Sequence, residues 1–153
     1  MNPIEKLIWS IALPGFGQLL NGHYVKGIVF IILEVMINVQ GNFNELIYFS
    51  FNGEIERAFE YTEYGWLMFY PCVYFFAMWD AYKCAGGGTE KYSFLPFAFS
   101  AYFVTVGLML SAKVKLFGVN LGPVWFPMLC VIPGVLTGLV LKGILNRLTL
   151  PLR

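Results

Sequence analysis

The residues that could do chemistry are few, and they stand in apolar surroundings. Glu34 lies in "GIVFIILEVMINV", with Asn38 one helical turn further on. A carboxyl in such a stretch must face a protein interior or become protonated, because a charge in an apolar medium is costly. Asn38 shares its face and is placed to hydrogen-bond it. Two readings stay open for Glu34: proton or cation handling, or a neutral acid paired for structural reasons. Asp80, in "MWDAY", sits near the end of another apolar segment. Lys83 follows it three residues later on the same helical face, and Lys26 begins a second helix at the same depth. Asp80 is therefore read as one half of an ion pair pinning helix ends, or as a carboxylate at a pocket mouth.

A third group of polar residues accompanies a break. "LPGFGQLLNGHYVKGI", from Leu13 to Ile28, packs one proline, four glycines, Gln18, Asn21, His23 and Lys26 into sixteen residues. Proline removes an amide donor and clashes with the preceding turn, while glycine permits a sharp bend and close backbone approach. Non-helical backbone at membrane depth persists only where protein or water satisfies its polar groups. Gln18 and Asn21 are the side chains placed to do so at Pro14, Gly15, Gly17 and Gly22. The same break is also suited to lining a polar pocket for an ion, a lipid head group or a partner.

Other chemistries lack their signatures. His23 has no partner at ligand spacing, and Cys72, Cys84 and Cys130 show no CxxC pattern, so neither metal nor disulfide is expected. "AGGGTEKY", Ala85 to Tyr92, lacks the phosphate-loop pattern and reads as a flexible turn. No nucleophile and base occur at catalytic spacing, and neither HExxH nor GxSxG is present. A non-catalytic protein without cofactor or nucleic-acid partner is expected.

The elements that must position these residues are helices in a bilayer. The 153 residues are 58% hydrophobic and only 12% charged, against about 25% charged in soluble domains. Apolar runs at 4–20, 24–39, 66–84, 94–112 and 124–145 approach the roughly 20 residues that cross a hydrocarbon core. The first, about 17 residues, reaches only about 25 Å and is interrupted, so it is a broken span or a re-entrant half-helix. Its apolar core, Leu7 to Trp9, is too short for a secretory signal, and Glu5 sits in the leader before it. The expected architecture is all-α and polytopic, with four to five transmembrane helices. Residues 1–85 form one helical region, 86–92 a cytoplasmic glycine-rich turn, and 93–153 a two-helix hairpin. Gly134 and Gly138 give that hairpin a small-xxx-small contact, within the bundle or between copies.

Charge sets the orientation. Five of the nine acids (Glu45, Glu54, Glu56, Glu60, Glu63) crowd the segment 41–65, which is expected to be a solvated loop. Placing that loop outside puts Lys26, Lys83, Lys91, Lys142, Arg147 and Arg153 in the cytoplasm, against Arg57, Lys113 and Lys115 outside. Positive charge favours the cytoplasmic side, so the C-terminus is expected there too, in a multi-pass cell-membrane protein.

"PGFGQLLNGHYVKGI" followed by "MWDAY" resembles the bacterial TM2-domain type of small membrane protein. In that group a glycine-rich turn ends a first apolar helix, a Lys-Gly pair opens the next, and an aromatic-rich helix closes with an aspartate. The matching positions are Pro14, Gly15, Gly17, Gln18, Gly22, Gly27, Trp79 and Asp80, and the likeness covers roughly residues 1–85. It implies little chemistry, since the group shares no catalytic residues. The expected function is a binding, scaffold or regulatory subunit of a membrane assembly, its partners being the bilayer and another membrane protein or a second copy. The alternative is a small oligomeric channel or transporter handling protons or cations through Glu34.

Overall fold

The computed structural model describes residues 2–149, which are helical apart from turns and one isolated bridge between Leu116 and Val119. Arg153 and the C-terminus, assigned above to the cytoplasmic side, lie outside the described residues. The helices are α1 (Pro3–Ala12), α2 (Phe16–Leu20), α3 (Tyr24–Gln40), α4 (Phe43–Phe51), α5 (Ile55–Glu60), α6 (Tyr64–Leu67), α7 (Tyr70–Cys84), α8 (Leu95–Leu110) and α9 (Gly122–Leu148).

The first apolar run breaks where its proline and glycines stand. Asn2 caps α1, its side chain accepting from the Ile4 amide at 3.0 Å, and Pro3 occupies the first turn, where no amide is needed. Leu13 then turns extended, with φ −155° and ψ 121°, the conformation favoured before a proline. Gly15 follows at φ 104°, a region that side chains disfavour, and α2 begins. The two helices form a hairpin, because the Lys6 ammonium near the start of α1 donates to the Leu20 carbonyl at the end of α2. Gly17 makes the approach close enough: a Cβ there would strike the Ser10 hydroxyl, the Lys6 carbonyl and Ala81 on α7.

α3 buries Gly27, Phe30, Glu34 and Ile37, a stripe at three- and four-residue spacing. After Asn42, at φ 52°, the chain turns by 65° into α4. The segment 41–65 corrects an expectation, for it is no solvated loop. It folds into α4, α5 and the start of α6, and Leu46, Phe49 and Ala58 join Leu67, Leu108 and Val124 in the apolar core. Phe43, Leu46 and Ile47 fall at helical spacing, so one face of an otherwise acidic segment is apolar. The acids take the other face: Glu45, Glu56, Glu60 and Glu63 are exposed, and Glu54 accepts from Arg57 at 2.6 Å.

α8 and α9 form an antiparallel hairpin. A Cβ at Gly134 would meet the Ser100 backbone and one at Gly138 the Pro96 backbone, so this small-residue pair packs within the chain. The glycine turn at 86–92 carries side-chain bonds to its flanks and to α9. Lys83 and Ser93 both donate to the Gly88 carbonyl, at 3.1 and 2.8 Å, and Glu90 pairs with Lys142 on α9 at 2.5 Å. Positive φ at Gly86 and Gly88 makes this tight stitching accessible to the backbone.

By length and composition, α9 is the one helix among the described residues able to cross a membrane by itself. α3 and α4 pass the same test only as a bent pair, and α8 is apolar but shorter.

Candidate functional site

Most of the predicted site converges where α2, α3 and α7 meet. Gln18, wholly buried on α2, reaches α7 with its amide nitrogen, which donates to the Ala77 carbonyl at 2.7 Å and to Asp80 Oδ2 at 3.1 Å. Asn21, closing α2, donates to the Ala81 carbonyl at 2.8 Å. One turn into α3, the Lys26 ammonium lies 2.8 Å from Asp80 Oδ1. Glutamine suits its position because one NH₂ group can serve two acceptors, here a carbonyl and a carboxylate. Asp80 is thereby engaged through both oxygens, by a neutral donor from below and a cation from the solvent side. The Lys26 side chain is 52% exposed and that of Asp80 14%, so the pair sits at a boundary rather than in a core.

Backbone fit sustains this clasp. Gly15 approaches the Gly27 carbonyl and Ile31, and Gly27 in turn accommodates Leu19. Each glycine of the motif is an opening through which a neighbouring helix makes contact, Gly22 excepted. Gly22, at φ 79°, has nothing within 4 Å and simply turns the chain toward α3.

The remaining predicted residues are placed differently. Lys83 does not pair with Asp80; its ammonium goes to the Gly88 carbonyl and lies 5.8 Å from the Trp79 ring centre. Glu34 is buried at 8% exposure, with Oε2 unpartnered. It faces the phenols of Tyr70 and Tyr74. Asn38 does not serve it, donating instead to Asn44 on α4 at 3.2 Å. The reason is the bend after Gln40: it brings Asn44 back beside Asn38 while Glu34 rotates toward α7. Glu34, Asn38 and Asp80 are thus three separate places. Lys26 and Glu34, eight residues apart, are separated by about 12 Å along α3.

Two further features escaped sequence reasoning. Lys6 is 4% exposed and neutralises the carbonyl end of α2, where a cation is favourable. Ser10, one turn on, is fully buried beside Gly17. Their i, i+4 spacing on an otherwise apolar helix was the available signal. Tyr70 and Tyr74 repeat that spacing on α7, and the Tyr74 hydroxyl donates to the Ile11 carbonyl at 2.7 Å, tying the far end of α1 down.

His23 is exposed at the start of α3 and its side chain caps nothing. Among the described residues no three His, Cys, Asp or Glu side chains come together as a metal site would require. Chemically, the junction is a polar cluster in which Asp80 pairs with Lys26 and also accepts from the Cys84 thiol at 3.8 Å, while the buried Gln18 Oε1 has no partner. Comparison with protein families, with curated proteins and with solved structures returns no match.

Proposed function

We propose that this chain is a multi-pass membrane protein whose α1–α2 unit is a re-entrant hairpin, and that it acts as a non-catalytic binding or scaffold subunit of a membrane assembly. In this reading α3, α7, α8 and α9 cross the bilayer, the 41–65 helices lie at the outer surface, and the clasp and the 86–92 turn face the cytoplasm. The observation that carries it is the Gln18–Asp80–Lys26 junction. It ties the hairpin to the ends of two long helices through the Gln18, Asn21 and Lys26 side chains, as suits a rigid docking platform. The Lys6–Leu20 bond favours re-entry over a broken span, since it brings both ends of the hairpin to one level. The TM2-domain likeness fits the same reading, its two halves being the segments that touch.

Glu34 supports a second reading. A buried carboxyl with an unpartnered oxygen beside two phenols is a default candidate for proton or cation handling. An oligomer would be needed to complete a path. One purified preparation separates the two readings. Reconstituted in liposomes, a scaffold gives no proton or cation flux above protein-free vesicles and, extracted in native lipid discs, is found bound to a different membrane protein. A permeation protein gives flux that Glu34→Gln abolishes.

A further inference from the structure

Glu34 is a buried acid that no basic side chain of the protein compensates. On α3 it follows Ile31 by three residues, and Ile31 is what a Cβ on Gly15 of the break would strike. The carboxyl therefore lies on the face of α3 that receives the α1–α2 hairpin. It is more than nine-tenths buried, and its Oε2 has no partner. Among the described residues no ammonium or guanidinium pairs with it.

Oxygens surround it instead. Tyr70 and Tyr74 stand one turn apart on α7 with their rings stacked at 5.4 Å, and both phenols face the carboxyl. Tyr74 commits its proton to the Ile11 carbonyl at 2.7 Å, which leaves its lone pairs free to accept. That carbonyl belongs to the last turn of α1, where partial negative charge gathers. A proton on Glu34 would serve one oxygen at a time, whereas a metal cation is held by several at once. One carboxylate balances a single positive charge. Calcium takes more oxygens and more acids, and the described residues bring no such group together. Carbonyl ends of broken membrane helices are suited to singly charged ions.

We infer that Glu34, with the phenol oxygens of Tyr70 and Tyr74, forms a binding site for one alkali cation where the α1–α2 hairpin meets α3 and α7. The inference rests on the cation-handling reading of Glu34 given above, and it requires binding only, not passage.

The test uses the full chain in detergent, melted in choline, sodium and potassium chloride at equal ionic strength. In choline the burial of Glu34 stays uncompensated. Sodium or potassium should raise the melting temperature in a saturable way, and the more effective of the two names the ion. Glu34→Gln should abolish the rise. Tyr74→Phe should increase the half-saturating concentration by about tenfold, while Asp80→Asn, in the clasp, should leave it unchanged. Equilibrium dialysis of the unaltered chain against radioactive sodium and potassium should find one ion per chain, which decides the matter even if a variant folds poorly. No rise in either salt would overturn the inference, as would a rise that survives Glu34→Gln. Proton flux in liposomes that needs Glu34, without cation binding, would overturn the site and leave the permeation reading standing. Binding without flux would remove permeation and leave the site.

Discussion

The Lys26 ammonium and the Asp80 carboxylate, 54 positions apart in the chain, lie 2.8 Å from one another, with the Gln18 amide holding the second carboxylate oxygen at 3.1 Å. The three residues contribute unequally, because Lys26 is half in solvent while Gln18 is wholly buried. Gln18→Leu takes the second donor from the Ala77 carbonyl, which keeps its helical bond, and the donor from Asp80 Oδ2, at an expected cost of about 1–3 kcal/mol. Lys26→Met breaks a boundary pair whose ammonium is 52% exposed while Asp80 is 14% exposed; with Gln18 still on the carboxylate, the cost is expected at about 1 kcal/mol. Thermal unfolding in detergent should rank Gln18→Leu as the more damaging change; the opposite ranking would locate the strength of the clasp in its charge.

Close approach gives a paired prediction on two glycines. Gly17→Val must displace Ser10, the Lys6 backbone and Ala81, and overpacking of this kind costs about 1–3 kcal/mol. Gly143, also helical, has nothing within 4 Å, so Gly143→Ala should be neutral or stabilising by up to about 1 kcal/mol. Equal tolerance at both positions, read from melting temperatures, would mean that α2 does not pack on α1 and α7 as described.

Glu34 is buried with one oxygen unpartnered, and Asn38, the partner expected from spacing, is bound to Asn44. Removing the carboxyl therefore strands no asparagine and relieves a costly burial. Glu34→Leu should melt at or above the temperature of the unaltered protein, and Glu34→Gln close to it. A drop of several degrees for Leu alone would show that the carboxyl holds α3 to α7 through the tyrosines.

The turn at 86–92 should respond to acid. Lys142, by its hydrogen bond and then its charge, holds the Glu90 carboxyl below the usual carboxylate range. A carboxylate whose folded value is depressed contributes above its unfolded value and loses that contribution as pH falls through the folded one. Amide exchange across 86–92, corrected for intrinsic rates, should thus be slow at neutral pH and accelerate below about pH 4. Lys142→Met should exchange fast at both ends of that range. An acid response surviving in Lys142→Met would assign it to some other group.

Accessibility distinguishes a re-entrant hairpin from a broken span. In a background lacking native cysteines, an impermeant reagent added outside should label a cysteine at Asn52 and spare one at Thr89, both exposed positions. Glu5 makes the distinction: re-entry spares it, whereas a first helix crossing the membrane would leave it labelled.

Local chemistry was legible in the residues themselves. Pro14 and Gly15 stop a helix wherever they stand, because a missing amide and a missing Cβ act within one turn. So the break, the all-helical class and the small-residue seam at Gly134 and Gly138 could be read directly, as could the shared level of Lys26 and Asp80. Partner choice was not, since it depends on how each helix rotates about its axis and bends at its ends. Asn38 and Glu34 share a face by spacing, yet the 65° turn after α3 gave one to α4 and left the other to α7. Lys6 was unplaceable until the hairpin closed over it, and the acids of 41–65 masked an apolar face that mattered only once α8 and α9 were there to receive it.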